Sequence, residues 1–353
     1  MAEIILNNIR SRYDDSILSE ALQRFGFSPG SLQPLEGSAY VYRGLIDNRS
    51  HILKITSGVW NTNEQITGST REQLIAEIDF VLYLAKNDLP VSLPVLSKRG
   101  EWVEVIPLDE QTCFLAYCFE MVPGIMFPDA DEVHFPDSVL VEWGRMSGRL
   151  NKLSARFQPD PRCQRLPWYK NDLENFQELI PAEQTLVFQR HEEINQQLHS
   201  LPLDPESYGL VHGDIHHGNF FVDGGIEGSF PKITLFDFDA AEYFWFASEV
   251  CVALINCLPL PRSNTAYRRE YTLDFLCHFL SGYRLEKLFN QFWLDQIPLF
   301  LKHYELLNYA YYHKYWDISH LTEHQEKVLL SYRQRIEDGT PVVAFEPGDL
   351  FNL

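Results

Sequence analysis

Apolar positions along the chain change their period near residue 122, and that change divides it. Residues 14–25 carry apolar side chains at helical spacing, and Gly26 follows as a left-handed stop. Residues 35–42 and 43–56 read as two strands around a turn at Asp47 and Asn48. Residues 60–69 are polar and read as a mobile loop. Residues 71–87 predict an amphipathic helix, with Leu74, Ile78, Val81, Leu82 and Ala85 on one face. Residues 95–97, 102–107 and 112–121 fit further strands, with Arg99 and Gly100 marking a hairpin. Val122, Pro123 and Gly124 break the pattern. Downstream, helical spacing prevails over 139–157, 171–180, 182–201, 249–256, 267–281, 285–292, 297–316 and 322–337, interrupted near 209–239 by short strands and turns. A β-rich part, 1–122, hinged to a helix-rich part, 123–353, predicts a two-lobed α+β fold.

Composition narrows the class. With 353 residues, 45% hydrophobic and 22% charged, the chain has the make-up of a soluble globular protein of two lobes. Residues 247–260 come nearest to a membrane span, but they are too few and include Glu249. The first residues lack a basic stretch followed by an apolar core, so the expected location is cytoplasmic. Six scattered cysteines without C-x-x-C spacing read as reduced core residues. A net charge of −20 argues against nucleic acid or anionic lipid and agrees with a cationic small-molecule partner.

The chemistry concentrates in two short stretches. Residues 210–223 read Leu-Val-His-Gly-Asp-Ile-His-His-Gly-Asn-Phe-Phe-Val-Asp, placing His212, Asp214 and Asn219 in the spacing His-x-Asp-x4-Asn. Residues 233–239 read Ile-Thr-Leu-Phe-Asp-Phe-Asp, an apolar strand ending in two carboxylates. Phosphoryl transfer from ATP needs a carboxylate beside the attacking hydroxyl and oxygen ligands that hold Mg²⁺ against the phosphates. Asp214 fits the first role as catalytic base; Asn219 and Asp237 fit the second. Asp239 either shares the metal, if the chain stays extended and both carboxylates face one way, or caps the following segment. His212 reads as a brace for the loop. A zinc site at His216 and His217 lacks the spread of ligands that zinc geometry requires. A plain polar turn between buried strands is the competing reading of the whole loop.

Upstream, Lys54 sits mid-strand among apolar neighbours, an awkward place for an ammonium without anionic company. Phosphates and a helix glutamate would supply it, with Glu77 the preferred partner and Glu72 the second. Otherwise Lys54 would mark the solvent face of an edge strand. Gly37 and Ser38 could bend over a triphosphate with their amides facing its oxygens. The extended backbone at Glu120 and Val122 suits an adenine edge, or is a linker only. Residues 297–316 carry Tyr304, Tyr309, Tyr311, Tyr312, Tyr315 and Trp316, a face for an amine or simply core.

The segments 212–219 and 236–239 resemble the aminoglycoside phosphotransferase and choline kinase family, small-molecule kinases with a protein-kinase-like fold. Looser similarity covers roughly residues 30–255 in the expected order. The resemblance implies ATP as phosphate donor, Mg²⁺ at Asn219 and Asp237, Asp214 as base, and Lys54 on the α- and β-phosphates. The chain departs from the pattern in three places: one glycine in the phosphate loop, His217 for a common proline, and Glu249 for a common aspartate. The expected acceptor is a hydroxyl on a small, amine-bearing molecule: an aminoglycoside, a choline-like amino alcohol or a homoserine-like amino acid. A protein serine/threonine kinase and a catalytically silent nucleotide-binding protein are the alternatives. Against the first, Asp239 runs almost directly into a helix, with no long activation segment and no Ala-Pro-Glu anchor.

Overall fold

The structure is a computed structural model, and it describes residues 10–35, 40–59, 70–126, 135–224, 231–258, 265–340, 342–343 and 348. Gly37, Ser38 and the loop expected at 60–69 lie outside the described residues. The chain divides into two compact units, one of Met1–Pro123, Phe157–Arg165 and Thr234–Asp239, the other of Gly124–Arg156, Leu166–Ile233 and Ala240–Leu353.

The first unit is built on a six-stranded sheet. Helix α1 (Asp15–Phe25) starts at Asp14, whose side chain accepts the amides of Ser16 and Ile17, and stops at Gly26 with φ 82°. Strands β1 (Gln33–Pro34), β2 (Val41–Ile46) and β3 (Arg49–Val59) follow, then α2 (Arg71–Lys86), β4 (Pro94–Val95), β5 (Val103–Pro107) and β6 (Thr112–Glu120). The sheet order is β1-β2-β3-β6-β4, with β5 also on β6. Asp47 and Asn48 turn β2 into β3 with φ of 48° and 63°, the left-handed pair whose twist suits a two-residue hairpin. The hairpin expected at Arg99 and Gly100 is not a strand pair. Instead β4 and β5 lie end to end along one edge of β6, both antiparallel to it. Nine residues of β6, buried along nearly their whole length, give that edge room for two short strands. Ile17, Ala21 and Phe25 of α1 pack on Leu53 and Ile55 of β3 and on Phe114, Ala116 and Cys118 of β6.

The second unit is mainly helical: α3 (Asp137–Ser154), α4 (Phe176–Leu179), α5 (Thr185–His199), α6 (Ala247–Cys257), α7 (Thr265–Tyr283), α8 (Gln291–Tyr315) and α9 (Glu323–Asp338). Short strands interrupt it: β7 (Tyr208–Val211) pairs with β10 (Glu242–Trp245), and β8 (Phe220–Asp223) pairs with β9 (Lys232–Leu235). Two expected helices are corrected. Residues 171–180 form a 3₁₀ turn and the short α4, because the Asn171 side chain caps the Leu173 amide and starts a new turn there. Residues 285–292 form no helix before Gln291. Leu285 and Leu288 are 69% and 80% exposed, so no buried face drives one, and Asn290 caps α8 instead.

Helices α3 and α7 cross where Gly144 and Gly148 meet Gly282 and its neighbours. A Cβ on Gly144 would stand 1.8 Å from the Phe279 carbonyl oxygen, and one on Gly282 1.8 Å from that of Val141. At its far end α3 holds β7, through Ser154 Oγ donating to the Leu210 carbonyl at 2.7 Å. Gly144→Ala should therefore lower stability by about 3 kcal/mol, although alanine is favoured over glycine in a helix by about 1 kcal/mol. Chemical denaturation of the variant checks this, and an unchanged or raised midpoint would contradict the close crossing.

Candidate active site

The alternation of β3 turns Leu53 and Ile55 to the core and Lys54 to the other side of the sheet. There Lys54 is 8% exposed, opposite Val41 on β2 and Tyr117 on β6. Strand β3 lies inside the sheet, which removes the edge-strand reading of this lysine. Its Nζ donates to Asp237 Oδ1 at 2.6 Å and to Asp239 Oδ1 at 2.9 Å. Burial alone would lower the Lys54 pKa, but Asp239, Asp237 and Glu77 overrule it and hold the ammonium charged. The end of β9 is fixed by hydrogen bonds from Leu235 to Pro90 and from Ser92 to Leu235, 3.0 and 2.9 Å long. Asp237 then takes φ 66°, a left-handed conformation that aspartate tolerates better than most residues. The two carboxylates thus converge through a left-handed residue, and not through the extended chain on which one of the two readings of Asp239 depended.

Glu77, the expected partner of Lys54, reaches it only through its field. It is 1% exposed and makes no hydrogen bond among the described residues. Arg165 Nη1 lies 3.8 Å from its Oε2. Burial raises the Glu77 carboxyl to about 8, with Asp239 adding to the rise and Arg165 and Lys54 opposing it. Arg165, which the sequence reading passed over, also donates to the Asp239 backbone carbonyl at 2.5 Å. Tyr117, likewise passed over, donates its hydroxyl to Asp239 Oδ1 at 3.3 Å. Lys54, Thr56, Glu77, Tyr117, Arg165 and Asp239 line a cavity of about 150 Å³. At the end of β6 the Glu120 amide is committed to the Leu93 carbonyl, and its own carbonyl accepts Ser92 Oγ. Of the nucleobase contacts expected there, that leaves the Val122 backbone and the second lone pair of the Glu120 carbonyl.

In the second unit β7 leads into the His-x-Asp-x4-Asn loop. Gly213 takes φ 82°, and a Cβ there would stand 2.2 Å from the Ala240 carbonyl oxygen, so both conformation and space demand glycine. Its amide donates to Glu249 Oε1 at 3.0 Å. Asn219 returns across a single 3₁₀ turn, its Nδ2 donating to the Asp214 carbonyl at 2.8 Å and to Oδ2 at 3.0 Å. This commits the Asn219 nitrogen, and its amide oxygen is the atom that could hold a metal. His212, fully buried, accepts the Asp214 amide at 3.4 Å. His216 caps the turn by accepting the Gly218 amide, and its Nε2 lies 3.3 Å from Asp214 Oδ2. Burial would raise the Asp214 carboxyl, but His216, His212 and Asn219 together hold it below its ordinary range. It is therefore ionised, as a base must be.

Asp237 and Asp239 already direct one oxygen each at a single cation, the Lys54 ammonium. Hard carboxylate and amide oxygens of this kind suit Mg²⁺. A model of the phosphotransferase enzyme family matches residues 31–284. The chain belongs to that family. An amicoumacin kinase of Bacillus subtilis (strain 168) is 32% identical over 336 residues, 95% of each chain. A solved amicoumacin kinase in complex with AMP-PNP, Ca²⁺ and Ami has a TM-score of 0.87 at 33% identity, over 98% of this chain and 99% of that one. A microcompartment-associated aminopropanol kinase shares the fold, with a TM-score of 0.69 at 21% identity over 92% of this chain and 95% of its own. The family member described here thus has the α+β, protein-kinase-like fold of small-molecule kinases. It is an ATP-dependent phosphotransferase acting on a hydroxyl group.

Glu249 gives the loop of the second unit a pH signature. Its fully buried carboxyl is pushed up to about 7 by burial, against the pull of the Gly213 and His212 amides. A pKa raised on folding stabilises most below the ordinary value of 4.5, and the benefit is lost as pH rises through 7. The unfolding free energy of the parent should fall across that window by about 3 kcal/mol more than that of Glu249→Gln. Denaturant titrations at several pH values check this, and parallel pH profiles would contradict it.

Proposed function

We propose that the chain moves the γ-phosphate of ATP to a hydroxyl of a cationic small molecule of the amicoumacin type. The observation that carries this reading is the convergence of Lys54, Asp237 and Asp239. Lys54 serves the α- and β-phosphates, and Asp237, Asp239 and Asn219 hold Mg²⁺, which when bound neutralises charge on the phosphate oxygens. Asp214 orients the acceptor hydroxyl and takes its proton. Gly37 and Ser38 cover the triphosphate, and the Glu120 carbonyl and Val122 backbone receive the base. Kinship with the amicoumacin kinases supports the acceptor class.

A cationic acceptor is supported by the net charge of −20 and by the aromatic helix. Of the tyrosines on α8, Tyr309 is core at 2% exposure, whereas Tyr311 and Tyr315 are 45% and 50% exposed. Burial raises the hydroxyls of Tyr304 and Tyr311, the charge of Asp214 adds to the rise, and Tyr304 accepts Asn256 Nδ2 at 3.1 Å. Tyrosine faces beside a carboxylate suit an ammonium group.

The test is ADP release and mass spectrometry with ATP, Mg²⁺ and amicoumacin, with aminoglycosides and amino alcohols in parallel. Amicoumacin should gain one phosphoryl group. Asp214→Asn should lower kcat by about 10²–10⁴-fold while ATP binding is retained. Phosphorylation of another acceptor only would overturn the substrate class, and full activity of Asp214→Asn would overturn the assignment of the base.

A further inference from the structure

Arg165 is a cation without a part in the chemistry above. Its side chain is 15% exposed, and it lines the same cavity as Lys54, Glu77, Tyr117 and Asp239. It is used on two sides. Nη2 donates to the backbone carbonyl of Asp239, and Nη1 faces Oε2 of Glu77. Lys54 meanwhile gives its hydrogen bonds to the two aspartates. A planar guanidinium points its edges in fixed, separate directions, so one edge donates to the Asp239 carbonyl while another lies 3.8 Å from the Glu77 carboxyl, a charge contact and not a hydrogen bond. An ammonium on a flexible stem does not fix two directions in this way.

We propose that Arg165 is a positioning residue for the metal-carrying segment, linking the Asp239 backbone to the buried carboxyl of Glu77 on α2. The carboxylates of Asp237 and Asp239 are aimed by this tie. Glu77 then acts on this segment through Arg165, beside its field on Lys54. The order of dependence is definite: Glu77 anchors Arg165, Arg165 holds the Asp239 carbonyl, and that carbonyl fixes the segment bearing both side chains. This rests on the reading of Asp237 and Asp239 as metal ligands.

The test measures ATP binding by calorimetry at saturating Mg²⁺ without acceptor, together with kcat, KM for ATP and the thermal midpoint. The proteins compared are the parent, Arg165→Ala, Arg165→Lys, Glu77→Gln and the double variant of Arg165→Ala with Glu77→Gln. Arg165→Ala should weaken ATP binding about tenfold, the scale on which outer partners of metal ligands act. It should raise KM more than it lowers kcat, and Arg165→Lys should recover part of the loss. Glu77→Gln should weaken binding in the parent, yet cost less than about twofold once Arg165 is alanine, since two groups acting in series are not additive. Unaltered binding in Arg165→Ala would overturn the proposal. So would an equal cost of Glu77→Gln in both backgrounds, which would put Glu77 on Lys54. Should the alanine variant fail to fold, the same cycle run with Arg165→Lys decides by the same criterion. A parent that binds no ATP would sink the kinase residue roles themselves, whereas normal parent binding with an indifferent Arg165 sinks only this inference.

Discussion

An ammonium taken out of water must be neutralised, and Lys54 is neutralised by two carboxylates from a distant part of the chain. Desolvating an ion costs several kcal/mol, and the cost is unequal here. The Lys54 side chain keeps 11% of its exposure, while Asp237 and Asp239 keep 39% and 49%. By exposure the lysine bears the larger part of the penalty, and the aspartates keep more of their surface in solvent. The first unit serves this arrangement. Strand β3 runs between β2 and β6, α2 brings Glu77 into the cluster, and the backbone bonds at Leu235 hold the end of β9.

The second unit sets two carboxylates apart by environment. Asp214 is ringed by donors and held low; Glu249 is sealed from water and held high. The division of labour follows from these surroundings. An ionised, partly exposed carboxylate can take a proton from a hydroxyl, whereas a buried one accepting a backbone amide can only hold the loop in shape. Glu249 reaches the Gly213 amide from α6, so the helix that follows β10 fixes the residue before Asp214.

Sequence reasoning succeeded where interactions are local. Asn219 returns to Asp214 within one turn, so their spacing encodes their contact. The caps at Asp14, Gly26 and Thr322 are equally local, and the helices they bound were readable. Lys54 could be read as a residue needing anions but not as the partner of Asp237 and Asp239, because no periodicity links positions so far apart in the chain. Arg165 had no signal at all. It stands in an irregular stretch with prolines on both sides, and only the fold brings it to Glu77. The strands β4 and β5 misled for a related reason: a glycine turn between apolar runs reports a reversal, not which strand each run will join.

Left-handed backbone occurs beside a carboxylate in each unit. Gly213, just before Asp214, and Asp237 both adopt it. For a residue with a Cβ that choice costs about 1 kcal/mol or more, and it persists only where the surroundings over-determine it. Gly213 avoids that cost by having no Cβ, and the closeness of the Ala240 carbonyl leaves no room for one. At Asp237 the bonds of Leu235 on one side and the Arg165 bond to Asp239 on the other over-determine the conformation. Each position lies beside a carboxylate with a defined partner: Asp237 faces the Lys54 ammonium, and Asp214 accepts from Asn219.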